Sequence, residues 1–491
     1  MLTIASQKSV RSLGSYLAEC GYTADRLIEE LGIHETLSAD LQNLEPLLEK
    51  TSGRSALHLL ARLFFAGWPA NAADCTRILD PDALSAALAC GLVRQSGSNV
   101  EPCALLVPFK EMAIACDGIT LYRGPDIVMG PSSSTRKMLY CAVPGTGEAT
   151  LDLCTGTGVL ALNAAPRSSH VVGTDVNPRA LQFARFNAAL NGLDNVEFLC
   201  GSAFEPVEGC TFSRIIANPP FFLAPVRTFT FSDSPMALDG FVRKLALDAP
   251  SLLAENAFFQ MACEWVQFEG EPWEQRLQSW TKDSGCDVLV LRGWQRNAID
   301  YAEKTTNEAK GVDPSCAKGQ FASRLQWLRN AKVESVLGGI LTMRKRCGTN
   351  WFAILEASEA KESTGSAIRQ KFDSLTVLAS HSEQDLLNAR FRFAAGAELI
   401  ERAVLGEKGW EVTNSVVNES ALKDEVRLDS VVFRFMTLLD GQRSTREIAG
   451  SVAKDLAISN EEAQTRCLQL VRRMLQGSFI QPLPDQVATG R

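Results

Sequence analysis

A chain of 491 residues is too long to fold around one core, and 46% hydrophobic with 22% charged residues is ordinary for a globular protein. A net charge of −8 argues mildly against loose nucleic-acid binding, and no uninterrupted apolar stretch reaches the roughly 18 residues that span a bilayer. The opening segment MLTIASQKSVRSL turns polar too early for a secretory h-region, so a cytoplasmic protein is expected.

The 14 cysteines are scattered and none forms CxxC, which fits reduced, buried thiols better than a disulfide frame or a zinc site. His34, His58, His170 and His381 lack ligand-like spacing and read as structural or exposed. GxSxG, Walker and HExxH patterns are absent, which leaves hydrolase and kinase readings without support.

Residues 1–120 read as mainly helical. Ser55 to Ala66 has apolar residues at helical spacing; Asp80-Pro81-Asp82 opens another helix with a cap and a first-turn proline, and Gly91 ends it. Leu92 to Arg94 and Ala104 to Val107 flank the turn Ser96-Gly97-Ser98-Asn99, and helices followed by such a hairpin suggest a winged helix. Winged helices bind nucleic acid or serve as docking modules. Here Asp74, Asp80 and Asp82 favour docking.

The central region reads as α/β. Ala149 to Cys154 is a short strand carrying Asp152, Val159 onward is a helix, and Thr155, Gly156 and Gly158 lie in the loop between. Such a loop lets backbone approach a ligand at the carboxyl end of a strand, where open α/β sheets bind. Val171 to Asp175 follows as a second strand whose final acid is placed for ribose hydroxyls. Val159 to Ala161 supply no third glycine, so a binder of a single nucleoside fits better than a dinucleotide enzyme.

The apolar run Ile215-Ile216-Ala217 ends in Asn218-Pro219-Pro220-Phe221. An exocyclic amine on a base, or a glutamine amide, has its lone pair delocalised and is a poor nucleophile. Two acceptors, the Asn218 side-chain oxygen and the carbonyl at Pro219, would hold its hydrogens and favour pyramidalisation. The prolines stiffen the turn and remove donors. Phe221, with Phe222, offers a flat face for a base or planar amide. An Asn-Pro turn that merely ends a strand accounts for the tetrapeptide taken alone; beside the glycine loop, methyl transfer to nitrogen is the better account.

Beyond it, strands are expected from Ala257 and over Asp287 to Arg292, with a covering helix over Trp273 to Trp280 and a mostly helical insertion over 297–331. Val333 to Lys345 is expected to complete the sheet as an antiparallel strand, with Trp351 to Leu355 beyond. Residues 266–350 hold 13 Lys/Arg against 10 Asp/Glu, and Arg344-Lys345-Arg346 reads as a solvated strand end sooner than a phosphate contact. Glu356 to Gly365 reads as a linker. Helices follow over Phe435 to Leu439, Thr445 to Ala453 with Ser444 as N-cap, and Glu461 to Leu475; Gly477 to Ile480 returns as a short strand.

Taken together, the glycine loop, Asp175 and NPPF over residues 121–357 resemble the class I S-adenosylmethionine-dependent methyltransferases, and among them the "methyltransferase small domain" N-methyltransferases with an NPP[FY] motif. The resemblance implies that Asp152, Thr155, Gly156 and Gly158 surround the methionine moiety, Asp175 the ribose and Asn177 the region beside it. Ser202, Ala203 and Phe204 would flank the adenine. Cys154 stands where the loop's usual first glycine is found, and Ser202 where an acid is common. Gly130 to Thr135 lies where such enzymes place a segment over the methionine end; a polar linker is the alternative. DGFVRKLALDAP at 239–250 and GEPWEQRLQSW at 270–280 resemble bacterial proteins with such a core between two accessory domains. The C-terminal pattern resembles the small PqqD-like winged-helix domains that hold peptides.

The fold expected is thus a Rossmann-like class I methyltransferase sheet (121–357), with a helical/winged-helix N-terminal domain (1–120) and a small α+β winged-helix-like C-terminal domain (366–491). The function expected is S-adenosylmethionine-dependent N-methylation of a macromolecule, a nucleobase in RNA or DNA or a glutamine or other nitrogen of a protein or peptide. A non-catalytic cofactor-binding scaffold or peptide-docking protein is the alternative, disfavoured because the loop and NPPF are both present.

Overall fold

The computed structural model describes residues 2–4, 6–33, 45–53, 55–145, 149–312, 319–357, 360–394, 397–406, 409–418, 422, 424–427 and 429–483. His34, part of the expected linker and part of the helical insertion lie outside the described residues.

Eight strands form the main sheet: β1 (Thr150–Leu153), β2 (Val171–Asp175), β3 (Val196–Cys200), β4 (Phe212–Ala217), β5 (Leu253–Phe268), β6 (Cys286–Asn297), β7 (Val333–Lys345) and β8 (Phe352–Glu356), in the spatial order β8-β6-β7-β5-β4-β1-β2-β3. Neighbours from β5 through β4, β1 and β2 to β3 run parallel. The near-continuous apolar runs of β1, β2 and β4 are what a parallel sheet covered on both faces requires; every residue of β1 is buried. The strand order reverses at β1, whose neighbours are β4 and β2, so the crevice that binds ligands in such sheets falls at the carboxyl ends of these strands. The fold is α/β.

The helices that position this edge are α1 (Val159–Ala164), α2 (Pro178–Leu190), α3 (Gly240–Asp248), α4 (Trp273–Thr281), α5 (Ala298–Val312) and α6 (Gln320–Asn330). Asn177 caps α2, its Oδ1 accepting from the Arg179 amide at 3.0 Å, with Pro178 in the first turn. The α5–α6 pair is the expected insertion.

Upstream, helices Gln7–Glu19 and Ala24–Leu31 are capped by Ser6 and Thr23. The expected helix over Ser55 to Ala66 is α-helical only over Ala56–Leu60 and continues as a π turn over Ala61–Phe65. A short strand Ala70–Asn71 precedes helices Ala72–Ile78 and Pro81–Ala89. The hairpin that follows corrects the expected partners. Val93–Ser96 pairs with Asn99–Pro102, and the expected second arm instead belongs to Leu105–Phe109, which pairs with Met112–Cys116. Two residues, Gly97 at φ +59 and Ser98, are enough to close the first hairpin, which places Asn99 opposite Ser96. The fully buried run Leu105 to Phe109 belongs to a separate pairing.

The core of these N-terminal elements is continuous with Ala180, Phe183, Phe186, Ala189 and Leu190 of α2. Asn187 of α2 is fully buried; it accepts from the Ala115 amide at 2.7 Å and donates to the carbonyls of Ala115 at 3.0 Å and Thr157 at 2.9 Å. One side chain therefore ties a hairpin strand, α2 and the glycine loop together. Asp117 and Arg179 form a second buried link, in which Asp117 Oδ2 also accepts from the Val128 amide at 2.8 Å.

The chain packs as two compact units, one of Met1–Leu139, Gly145–Ser284 and Trp294–Thr342, the other of Tyr140–Pro144, Gly285–Gly293 and Met343–Arg491. Inside the second, Asp287 is fully buried and receives Arg344 at 3.1 Å and Arg346 at 2.9 Å, and Arg344 also reaches Asp373 at 2.8 Å. The expectation of a solvated Arg344-Lys345-Arg346 strand end is therefore corrected for both arginines: a buried carboxylate demands charged partners, and these supply them.

Helices Thr364–Ser380, Ser430–Leu438, Thr445–Leu456 and Asn460–Gln476 build the C-terminal core, with Ser444 and Glu447 forming a reciprocal capping box. Ile480–Pro482 pairs antiparallel with Phe391–Phe393. A three-stranded antiparallel sheet of Ala397–Gly406, Gly409–Asn418 and Asp424–Arg427 had no counterpart in the sequence reading.

Candidate active site

One cavity of about 930 Å³ opens at the carboxyl ends of β1, β2 and β4. Its lining brings together Thr155, Gly156, Asp175, Asn177, Ser202, Ala203, Asn218, Pro219, Pro220 and Phe221, which stand between residues 155 and 221 in sequence. Asp152, Gly158 and Phe204 stand behind the wall instead.

Asp152 is fully buried, and its Oδ2 accepts from the Thr155 hydroxyl at 2.6 Å and from the Ala161 amide at 2.9 Å. It fixes the loop from below. Its Oδ1 has no partner, and burial pushes the carboxyl up to about 7. The loop passes through left-handed conformations at Cys154 (φ +59), Gly156 (φ +54) and Gly158 (φ +85). The two glycines serve different ends. A Cβ on Gly156 would meet nothing within 4 Å, so its face is open to the cavity; one on Gly158 would stand 3.2 Å from Ala184 and 3.3 Å from Phe198, so that glycine permits packing of the helix start.

Asp175, at the end of β2, accepts from the Gly156 amide at 2.9 Å through Oδ2 and from the Asn177 amide at 2.8 Å through Oδ1. Burial raises its pKa, partly offset by these backbone donors. Asn177 donates to the Asp126 carbonyl at 3.0 Å, bringing residues 126–135 over the cavity. There Ser132 Oγ lies 2.9 Å from Ser134 Oγ. Ser134 Oγ accepts from Asn218 Nδ2 at 3.2 Å, so Gly130 to Thr135 is a wall of the site.

That bond orients Asn218. With Nδ2 engaged, its Oδ1 is buried and has no hydrogen-bond partner. A buried polar atom without a partner is uncommon and calls for a ligand or a cost in stability. Phe221 and Phe222 meet edge to face at 5.4 Å. The segment 222–234 folds back on itself, the Phe222 amide donating to the Ser232 carbonyl at 2.8 Å and the Ser234 amide to the Phe222 carbonyl at 2.9 Å. Buried Asp233 holds that return by accepting from the amides of Thr228 at 2.7 Å and Phe229 at 3.1 Å.

Sequence reasoning missed the far wall. Glu264 from β5, Trp294 and Arg296 from β6, Lys304 and Glu308 from α5 and Arg324 from α6 all line the cavity. Lys304 Nζ sits 4.7 Å from the Phe222 ring centre and 5.4 Å from that of Trp294. The only signal was positional: an insertion of helices directly after a sheet strand falls at the ligand-binding edge when that strand ends there.

The geometry gives a concave site with an open glycine loop and a strand-end carboxylate on one side and an unpaired amide oxygen among aromatic rings on the other. Residues 133–230 match the Methyltransferase small domain family. Residues 19–103 match a second family, described as a domain of unknown function, DUF7059. A release factor glutamine methyltransferase of Deinococcus radiodurans is 49% identical over 73 residues, covering 14% of this chain and 26% of that protein. Another of that name, from Aliivibrio fischeri, is 33% identical over 130 residues, covering 25% and 43%. A tRNA (uracil-5-)-methyltransferase homolog A of Mus musculus is 35% identical over 97 residues, covering 19% and 16%. The chain thus spans less than half the length of these relatives. Among the described residues, no helix is long and apolar enough to cross a membrane, and no cluster of His, Cys, Asp and Glu is arranged to hold a metal.

Proposed function

We propose that this chain is an S-adenosylmethionine-dependent N-methyltransferase that methylates an amino or amide nitrogen of a macromolecule, a nucleobase in RNA or DNA or a glutamine or other nitrogen of a protein or peptide. The observation that carries the reading is Asn218 Oδ1, a buried acceptor without a partner on the wall of the cavity that the glycine loop also lines. The cofactor fits the other half on two counts: Gly156 leaves open space where a Cβ would stand, and Asp175 presents a carboxylate at the strand end. Bound there, S-adenosylmethionine supplies a methyl group activated by a sulfonium.

The chain's own residues do the rest. Asp175, with Asn177 beside it, holds the ribose end; Ser202 and Ala203 border the base, with Phe204 behind them; Thr155, Gly156 and Ser134 line the methionine end. Asn218 Oδ1 and the Pro219 carbonyl take the hydrogens of the acceptor nitrogen. That orients its lone pair and supports charge as it develops. Phe221 stacks the acceptor plane.

The layout that goes with this reading is a winged-helix-type region over 1–120, the methyltransferase region over 121–357 and an α+β winged-helix-like region over 366–491, in a cytoplasmic protein. The order of helix, short strand, two helices and hairpin over residues 56–102 supports the first of these.

The test is to incubate the purified protein with methyl-labelled S-adenosylmethionine and whole-cell extract, then treat portions with nuclease or protease. Label lost to nuclease identifies a nucleic acid and label lost to protease a protein. Cofactor binding without any labelled product would support the scaffold alternative and sink the enzyme.

A further inference from the structure

The cavity carries a second buried hydrogen-bond acceptor that no motif marks. Met261 of β5 stands opposite Ala217 of β4 in parallel register, so Asn218 is level with Ala262. Glu264 lies two residues farther along the same face of β5, roughly 7 Å beyond that level at about 3.3 Å per residue. It is 2% exposed, yet it lines the cavity.

Its two oxygens are used differently. Oε2 accepts from the Tyr301 hydroxyl at 2.5 Å, and that hydroxyl in turn accepts from the Leu223 amide at 2.8 Å. Arg324 donates to the Leu223 carbonyl at 3.4 Å, so side chains of α5 and α6 hold both backbone groups of the residue that ends the run from Asn218. Oε1 takes no hydrogen bond among the described residues. Lys304 Nζ stands 3.9 Å from it, drawn toward Glu308 at 3.3 Å and over the rings of Phe222 and Trp294.

We propose that Glu264 is a specificity-determining residue of the acceptor pocket: Oε1 accepts a hydrogen bond from an N–H donor that the acceptor carries besides the nitrogen to be methylated, while Tyr301 keeps the carboxyl in register with the acceptor turn. This rests on the methyl-transfer reading above. Arg296, Lys304, Glu308, Tyr301 and Arg324 are the charged and titratable groups that face this corner. Burial pushes the Glu264 carboxyl up to about 7 against the pull of Lys304, so a substrate donor at Oε1 would favour the ionised form. The acceptor turn and the specificity carboxylate then move as one unit, and an acceptor lacking the second donor leaves Glu264 Oε1 with only the 3.9 Å contact to Lys304.

The experiment uses the full chain, the labelled acceptor recovered from extract, and three measurements: acceptor KM and kcat, equilibrium binding of the acceptor with S-adenosylhomocysteine present, and affinity for S-adenosylhomocysteine alone. Glu264→Gln keeps the Tyr301 bond and turns an NH2 toward the substrate donor. Acceptor KM and acceptor binding should weaken by about 10-fold or more, with kcat within about 3-fold and cofactor affinity unchanged. Tyr301→Phe preserves the ring and should weaken acceptor binding by a smaller factor while also lowering kcat. Unchanged acceptor binding in Glu264→Gln, or in Tyr301→Phe should the first variant not fold, overturns the inference while leaving an active wild type intact. A wild type that neither binds S-adenosylhomocysteine nor transfers label overturns the methyl-transfer reading and this inference with it.

Discussion

The two walls of the cavity are built in different ways. On the proposed cofactor side, short loops after β1, β2 and β3 place Thr155, Gly156, Asp175 and Ser202 by local backbone geometry, and the decisive contacts run between residues close in sequence or on adjacent strands. On the proposed acceptor side, Asn218 is oriented by Ser134, Leu223 is held by Tyr301 and Arg324, and Lys304 covers Phe222, all contacts that join residues 78 to 101 positions apart. A nucleoside cradle can be encoded in a few local residues. An acceptor pocket assembled from separate elements can change its substrate without disturbing that cradle.

The sharpest way to break this comparison is at Asn218, which belongs to the acceptor side alone. Asn218→Ala should lower methyl transfer by about 10²-fold or more, the scale of one positioned transition-state hydrogen bond, and leave S-adenosylhomocysteine affinity intact. Oδ1 has no partner in the structure, and the Ser134 hydroxyl that loses Asn218 Nδ2 keeps its contact with Ser132 Oγ, so the melting temperature should fall only slightly. Wild-type turnover in Asn218→Ala would reduce the tetrapeptide to a strand-ending turn.

The matching change on the cofactor side is Asp175→Ala, measured by calorimetry with S-adenosylhomocysteine. Binding should weaken by about 1–3 kcal/mol, both from the lost ribose partner and from release of the Gly156 and Asn177 amides it holds. Unchanged affinity in a folded variant would remove Asp175 from the site. Phe221→Ala should leave that affinity alone and weaken the acceptor by roughly 1–3 kcal/mol if a base stacks there. A nearly unchanged acceptor KM would favour an aliphatic amide.

The contrast also accounts for what could be read in the sequence. The loop around Gly156, the acid ending β2 and the Asn-Pro-Pro turn declare themselves because glycine, proline and strand-end acids act through their own backbone. Glu264, Tyr301 and Lys304 carry no such signature, since an apolar strand with one acid and a helix with one lysine are ordinary until folding brings them together. The same holds for Arg344 and Arg346, which look solvated in sequence and find Asp287 only in the fold. The first hairpin differs for a local reason: the turn at Gly97-Ser98 is legible, but it closes so tightly that the less apolar Asn99–Pro102, and not the run from Ala104, is its second arm. Gly158 reads in the sequence as a point of ligand approach, and its surroundings show helix packing behind the cavity wall instead.

The smallest expected effect on either ligand lies beneath the cofactor loop, at Asp152, which bears on stability instead. Its carboxyl is raised to about 7 by burial, against an unfolded value near the ordinary carboxylate range of about 4. A carboxyl raised on folding binds its proton more tightly in the native state. Its contribution is therefore present in acid and is lost as pH rises from about 4 to about 7, after which the buried charge is a constant penalty. Asp152→Asn keeps an acceptor for the Thr155 hydroxyl and the Ala161 amide while removing that titration. The variant's melting temperature, compared with wild type, should improve steadily across that interval and then run parallel above it. A difference that stays flat from pH 4 to 7 would mean that Asp152 is ionised throughout, its unpartnered Oδ1 stabilised by a group the loop does not supply, and the loop would then owe its shape to Cys154 and the two glycines rather than to the buried acid beneath them.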